Sequence, residues 1–389
     1  MAEVFGGGSK GIARSSVKIW KAYDENPRGN KSSKPQFFKA VFPMLSVGLE
    51  RYRQINLGNA VAKFQIAKRI GLDFDSEKTS DLDHLLKIHT EAKKEFKEIK
   101  EALDSDSVDK EKFMERSAKF SFLDLKIKIL EKMLESCHFC ERRCEVNRYS
   151  EIGFCKCSDK SYFSSEFLHM GEEPELIPSH TIFFNRCTFR CVFCQNYDIV
   201  YTDDYPVNEA DVARIVDLRY RQGSRNVNFV GGNPDQHAHT ILKILMNVES
   251  NVPVVWNSNM YHSSELAEII EDVVDVWLGD FKYGDDKCAL KYSKVKNYWE
   301  IITRNFKRAE KNGELLIRHL VMPGHIECCT EKIVAWVARN LDNPRFNLMF
   351  QYYPTYKAYD YPEIARRLRG DEMREAMKIA KKYDLDLVR

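Results

Sequence analysis

Three cysteines are crowded into one short run, His180-Thr-Ile-Phe-Phe-Asn-Arg-Cys187-Thr-Phe-Arg-Cys191-Val-Phe-Cys194-Gln-Asn-Tyr-Asp198. The spacing is Cys-x3-Cys-x2-Cys, placed just after a short apolar stretch that reads as a strand. Three thiolates from one compact loop can hold three irons of a [4Fe–4S] cube, whose full set would be four. The missing fourth leaves one iron open to a chelating ligand, as catalytic metal sites keep a position open. Three alternatives stand beside this reading. A tetrahedral zinc would need a fourth ligand nearby, a disulfide suits an oxidising compartment, and chance clustering of core cysteines does not account for a position at a strand end.

The other cysteines are placed just as unevenly. The chain has eleven in 389 residues: none in the first 136, eight between Cys137 and Cys194, then Cys288 and the adjacent Cys328 and Cys329. In Cys137-His-Phe-Cys140-Glu-Arg-Arg-Cys144 the spacing is Cys-x2-Cys-x3-Cys, and Cys155 or Cys157 can supply a fourth thiolate. Four thiolates close a coordination shell, which suits either a second [4Fe–4S] cluster or a structural zinc. His138 offers a nitrogen but reads as a surface spectator. Cys328 and Cys329 are poorly placed to ligate one metal together and read as packed thiols.

The Cys187–Cys194 loop resembles the radical SAM superfamily, whose signature has this spacing and an aromatic residue, here Phe193, just before the last cysteine. The resemblance implies that Cys187, Cys191 and Cys194 hold a [4Fe–4S] cluster and that S-adenosyl-L-methionine chelates the open iron. It implies that one electron from the cluster breaks the S–C5′ bond and that the 5′-deoxyadenosyl radical abstracts hydrogen from a substrate. The cysteine-rich knuckle with Gly153-Phe-Cys155, then Gly171-Glu-Glu-Pro174, Gln195-Asn196-Tyr197-Asp198, Asp280-Phe-Lys282-Tyr283, Lys291-Tyr292-Ser293 and Arg318-His319-Leu-Val-Met-Pro323-Gly324-His325, is similar to one branch of it. That branch is related to the pyruvate formate-lyase activating enzyme. The likeness spans residues 137–389 and does not reach the first 136. It implies glycyl-radical generation in the archetype, an electron donor such as ferredoxin or flavodoxin, and a protein as candidate substrate. The knuckle and the N-terminal extension both depart from the small archetype.

Several later segments could complete such a site. Gly231 and Gly232 let backbone approach a ligand closely. The superfamily commonly has Gly-Gly-Glu there, and this chain has Asn233 instead, so backbone carbonyls would serve. Asn257 ends another strand in a polar cluster. Asp280 and Lys282 share one face of a strand and would pair with each other or meet the cofactor, and Arg318 can fork onto a carboxylate. His319 and His325 are candidate proton carriers. Tyr352, Tyr353 and Tyr356 lie near the last strand end, where packing is the ordinary use. No catalytic residue is singled out.

These residues need a scaffold that gathers strand ends. From Thr181 onward, short strand-like runs (181–185, 226–230, 253–257, 273–280, 315–321 and 346–352) alternate with amphipathic helical ones. That order implies βαβ units with a parallel sheet, right-handed crossovers and function at the C-terminal strand ends. The expected fold is α/β, a partial (β/α)6 radical SAM barrel at 179–389. A cysteine-rich knuckle at 136–178 and a helical N-terminal extension at 1–135 precede it. In the extension, apolar residues from Leu82 to Leu103 recur at a helical period, with Ser80 or Asp81 as cap, a loop at 105–110 and a second helix at about 110–135.

Composition narrows the function classes. Sixty basic residues nearly balance 58 acidic ones, for a net charge of +2, so no nucleic-acid partner is expected. No apolar run approaches the roughly 18–20 residues of a membrane span, and the N-terminus lacks a signal-peptide pattern. A reducing cytoplasm is the expected location, where clustered cysteines bind metal or do chemistry. The reading is a radical SAM oxidoreductase of activating-enzyme type. Its rivals are a radical SAM methyltransferase or other protein- or lipid-modifying enzyme, and a non-enzymatic zinc- or cluster-stabilised binding protein.

Overall fold

The structure, a computed structural model, describes residues 48–74, 81–171, 173–342 and 344–388. Residues 1–47 of the expected extension and the alternative cap Ser80 lie outside the described residues.

Eight strands form one sheet: β1 (Tyr162–His169), β2 (Ser179–Phe184), β3 (Tyr205–Pro206), β4 (Asn226–Gly231), β5 (Val254–Ser258), β6 (Val276–Asp280), β7 (Glu314–Leu320) and β8 (Arg345–Met349). Their order is β3-β1-β2-β4-β5-β6-β7-β8. From β2 through β8 every neighbouring pair is parallel, so the six expected strands make a partial barrel. The expectation of six was short by β1 and β3, which add an antiparallel edge. The run Tyr-Phe-Ser-Ser-Glu-Phe-Leu-His of β1 is half polar because only one of its sides meets the core. It carries none of the apolar continuity that marks the central strands; β5, Val-Val-Trp-Asn-Ser, is buried throughout.

Helices connect the parallel strands, with caps that the sequence supplies. Asn208 accepts from the Asp211 amide at the start of Glu209–Arg221, and Ser263 from Leu266 at the start of Ser264–Ile270. Ahead of the barrel, the helix Leu82–Asp104 is capped by Asp81, whose side chain accepts from the His84 amide. The second expected helix is in two pieces, Lys110–Met114 and Phe122–Met133, the latter opened by a capping box of Ser121 and Asp124.

These N-terminal helices share one core with the barrel. Phe96, Phe122, Leu125 and Ile129 belong to the same buried cluster as Ile244, Trp277 and Phe346. The seam also holds buried charge. Lys126 Nζ donates to Asp272 Oδ2 at 2.9 Å and to the Ile269 carbonyl at 2.8 Å, while Arg51 Nη1 meets Asp275 Oδ1 at 3.0 Å. No described helix is long and apolar enough to cross a membrane.

Candidate active site

Alternate residues of the parallel strands turn into one cavity of about 350 Å³ at their C-terminal ends. Side chains in a strand alternate between faces. Thus Asn228 and Val230 of β4 face the cavity, while the alternate residues Val227 and Phe229 are wholly buried in the core. Asp280 and Lys282 follow the same alternation at the end of β6, and Arg318 and Leu320 on β7. The volume falls within the roughly 300–1,000 Å³ of small-molecule sites.

Cys187, Cys191 and Cys194 all line this cavity, and among the described residues its wall holds no fourth cysteine. Two glycines fix how the loop leaves β2. Gly231 has φ +108°, and a Cβ on it would stand 2.1 Å from both the amide nitrogen and the carbonyl oxygen of Phe184. A Cβ on Gly232 would stand 1.7 Å from the Arg186 carbonyl oxygen. The end of β4 can therefore lie against the root of the cysteine loop only without side chains, and Gly232 N donates to Phe184 O at 2.8 Å to hold it there. Asn233, where the family pattern has an acid, is spent on bracing: its Oδ1 accepts from Asn259 N at 3.0 Å and its Nδ2 donates to Gln236 Oε1 at 3.2 Å.

The sulfurs are individually supported. Ser293 Oγ donates to Cys191 Sγ at 2.9 Å, and Phe189 N to Cys187 Sγ at 3.3 Å. Asn259 Nδ2 lies 3.8 Å from Cys187 Sγ and donates to Thr188 Oγ1 at 2.9 Å. Burial pushes the Cys187 thiol up to about 12, helped by the neighbouring Cys191. Burial likewise raises Cys191 and Cys194. Buried thiols held neutral by desolvation give up their protons when a cation takes their place. Three soft sulfurs around one cavity thus fit an iron–sulfur cluster with an open iron. Phe193 packs edge-on to Tyr283 and Tyr352 and closes the loop from behind.

Opposite stands a charged trio. Lys282 Nζ donates to Asp280 Oδ2 at 2.7 Å, and Arg318 Nε to Asp280 Oδ1 at 3.0 Å. Arg318 Nη2 reaches Asn257 Oδ1 at 2.7 Å. Burial opposes the charge on Asp280, but Arg318 and Lys282 outweigh it and hold the carboxyl below its usual range. Burial also opposes the charge on Lys282, and Asp280 outweighs it. Every expected cofactor-side residue, from Phe193 through Arg318, borders this one cavity.

Other candidates stand elsewhere. His319 is buried, its Nδ1 paired with Phe281 O at 2.7 Å and its Nε2 with Thr330 Oγ1 at 2.9 Å. Burial pulls it down to about 4. Tyr352 donates to Ile364 O at 2.8 Å. Sequence reasoning placed Asn259 in the polar cluster after Trp256 but did not select Asn228 or Ser293 as site residues. A polar Asn228 inside the apolar run Val-Asn-Phe-Val was a readable signal; the contact of Ser293, from a helix about 100 residues downstream, was not.

The knuckle abuts the cysteine loop. Cys137, Cys140, Cys155 and Cys157 are buried and Cys144 is half-buried. A Cβ on Gly153 would stand 2.5 Å from Cys144 Sγ, so the segment carrying Cys155 closes directly on Cys144. Arg148, buried among these thiols, donates to Gln236 O at 2.9 Å and ties the knuckle to the barrel. Arg142 Nε donates to Thr188 O at 3.1 Å inside the cluster loop.

Comparison with known proteins agrees with this geometry. The family model described as the radical SAM superfamily matches residues 181–337. A protein of Methanocaldococcus jannaschii described as uncharacterized is 47% identical over 348 residues, covering 87% of this chain and 99% of its own. Among solved structures, Streptococcus suis SuiB bound to S-adenosylmethionine aligns with a TM-score of 0.42 and 16% identity, over 52% of this chain and 47% of that one. This chain thus spans about half of SuiB's length. A domain of pyruvate-formate lyase-activating enzyme from Bacteroides vulgatus aligns with a TM-score of 0.35 and 17% identity, over 42% of this chain and 96% of that one. The family match and the geometry of the cysteine loop make the chain a member of the radical SAM superfamily.

Proposed function

We propose that this chain is an activating-enzyme-like radical SAM oxidoreductase whose substrate is a protein. When bound, the [4Fe–4S] cluster supplies the electron that cleaves S-adenosyl-L-methionine to a 5′-deoxyadenosyl radical. The observation that carries the reading is the convergence of Cys187, Cys191 and Cys194 with Asp280, Lys282 and Arg318 on one cavity at the strand ends. Gly231 and Gly232 bring backbone close to the cofactor, and Asn257 and Arg318 offer polar contacts to its ribose or carboxylate. Lys282 keeps a positive charge facing the cysteine sulfurs, where it favours thiolate over thiol. Cys137, Cys140, Cys144 and Cys155 hold a second cluster or zinc beside the loop, with Cys157 as the alternate fourth ligand. A ferredoxin or flavodoxin supplies the electron in a reducing cytoplasm.

The test is anaerobic. The full chain is reconstituted with iron and sulfide, reduced, and given S-adenosyl-L-methionine, with 5′-deoxyadenosine read by mass spectrometry. The native protein forms it, and the triple variant Cys187→Ala, Cys191→Ala, Cys194→Ala does not. Absence of S-adenosyl-L-methionine binding by a protein with a full, reducible cluster overturns the reading in favour of a binding protein.

The N-terminal helices are proposed to help dock the protein substrate. Deletion is a poor probe, because Lys126 and Phe122 are buried against barrel residues. Charge reversal at exposed Lys94 and Lys97 on the helix Leu82–Asp104 is the suitable one. Substrate KM rises while deoxyadenosine formation without substrate stays constant; an unchanged KM removes the docking role from this face.

A further inference from the structure

A third cysteine group lies outside the cavity. Cys288, Cys328 and Cys329 bring their sulfurs within 4.8 Å of one another, the tightest set of metal-ligand atoms among the described residues. Nothing in the spacing joins Cys288 to an adjacent pair about 40 residues away. Folding does so because the segment after β6 runs through Asp285 into the helix Asp286–Ser293, while the segment after β7 returns beside it as the turn Ile326–Glu331. Gly284 allows the close approach: a Cβ there would stand 2.3 Å from Cys328 O and 2.6 Å from Cys329 Cα.

The geometry answers the objection that adjacent cysteines cannot share a metal. Ile326–Glu331 is a π-helical turn, a rare conformation that recurs at functional sites. It leaves Cys328 Sγ and Cys329 Sγ 4.0 Å apart. A tetrahedral zinc with Zn–S bonds of about 2.3 Å separates its sulfurs by about 3.8 Å. His325 stands beside Cys288 but outside the 4.8 Å set, its Nδ1 facing Pro323 O at 2.7 Å, so a shift of its ring toward the sulfurs would supply a fourth ligand. A backbone carbonyl on Nδ1 fixes the tautomer and leaves Nε2 as the donor, as behind most ligating histidines.

We propose that Cys288, Cys328, Cys329 and His325 form a closed Cys3His zinc site that staples the loop after β6 to the turn after β7. On binding, the three thiols release their protons to solvent and His325 ligates as the neutral ring. Three thiolates and Zn²⁺ leave one negative charge beside the ion pair of Lys332 and Asp285, 3.2 Å apart. The stapled segments carry the cavity wall: Lys282 precedes one, Arg318 the other, and Ser293, which touches Cys191, ends the helix that bears Cys288. This inference stands whether or not the substrate is a protein.

The experiment uses the full chain purified anaerobically and supplied with zinc chloride, with zinc and iron counted by plasma mass spectrometry. The native chain carries one zinc more than Cys288→Ser, and Cys328→Ser loses the same single equivalent, with iron unchanged in both. Equal zinc in native and variant protein overturns the site, as does a disulfide among these three cysteines in the anaerobic native chain. Should the serine variants fail to fold, His325→Cys decides. The zinc X-ray absorption spectrum then exchanges one nitrogen for one sulfur, and an unchanged spectrum overturns the proposal.

Discussion

Asp280 and Arg318 are register partners on the neighbouring parallel strands β6 and β7, and Arg318 Nε donates to Asp280 Oδ1 at 3.0 Å. Lys282, two residues on, takes the other carboxylate oxygen at 2.7 Å. One carboxylate therefore holds two cations at the cavity wall, and those cations face three sulfurs that burial keeps from ionising. Asp280, Lys282 and Arg318 together carry one net positive charge beside the cysteines, which suits a thiolate-bound cluster with a carboxylate-bearing ligand.

Removing the shared carboxylate should be costly. Asp280→Asn keeps the shape and leaves Lys282 and Arg318 facing each other with no carboxylate charge between them. The side chains involved are 21%, 22% and 13% exposed, so the loss should be about 2 kcal/mol, below the roughly 3–5 of a fully buried broken pair. Urea unfolding of native and variant protein reads it directly, and equal midpoints would mean that solvent already screens the trio.

Gly232→Ala tests the close approach of β4 to the cysteine loop. The added Cβ would fall 1.7 Å from the Arg186 carbonyl oxygen, which belongs to backbone and cannot swing aside. The loop root must move, and Cys187 with it. The expected result is a folded chain whose reconstituted iron falls by about one cluster per molecule, measured by iron count and visible absorption. Native iron content in Gly232→Ala would show that the loop tolerates displacement.

Much of this was legible in the sequence, and the reasons for the exceptions are physical. The parallel strands were readable because a strand buried on both faces is a continuous apolar run, as in Val254-Val-Trp256. The cysteine loop was readable because its ligands are local. β1 was missed because an antiparallel strand with a half-exposed face carries Ser165, Glu166 and His169 in place of that continuity. The helix at about 110–135 was expected whole and is broken between Met114 and Phe122. Asp280 and Lys282 were seen to share a face, but the choice between pairing and cofactor contact needed Arg318, which only the β6–β7 register brings alongside. The grouping of Cys288 with Cys328 and Cys329 depends on the same two strands and was invisible for the same reason.

Ser293→Ala should change the cluster's redox behaviour more than its assembly. A hydroxyl donating to a thiolate ligand favours the more negative, reduced state and raises the potential. A charge-assisted bond that strengthens by about 1 kcal/mol on reduction corresponds to about 40 mV for one electron. The variant is therefore expected to titrate about 40 mV lower than native protein with the same iron content, followed by paramagnetic resonance of the reduced cluster. An unchanged potential would mean that Ser293 serves Tyr283, its other partner, and not the sulfur.

The antiparallel strand β1 that the sequence concealed supplies the clearest pH dependence. Glu166 on β1 accepts from Arg219 Nη2 at 2.7 Å and pairs with His180 Nε2 at 3.0 Å. Burial raises its pKa, but His180 and Arg219 outweigh that and hold the carboxyl at about 2. The folded value lies below the ordinary 4.5, so the contribution is present above about pH 4.5 and is lost as pH falls toward 2, for a total of about 3 kcal/mol. Burial also lowers His180, so protonation of that ring in the unfolded chain erodes stability in the same direction below about pH 6.5. Glu166→Gln removes the first contribution and leaves the second. Its unfolding free energy should lie about 3 kcal/mol below native at pH 7 and converge on native near pH 2. Parallel curves across that window would place the stabilising charge somewhere other than Glu166.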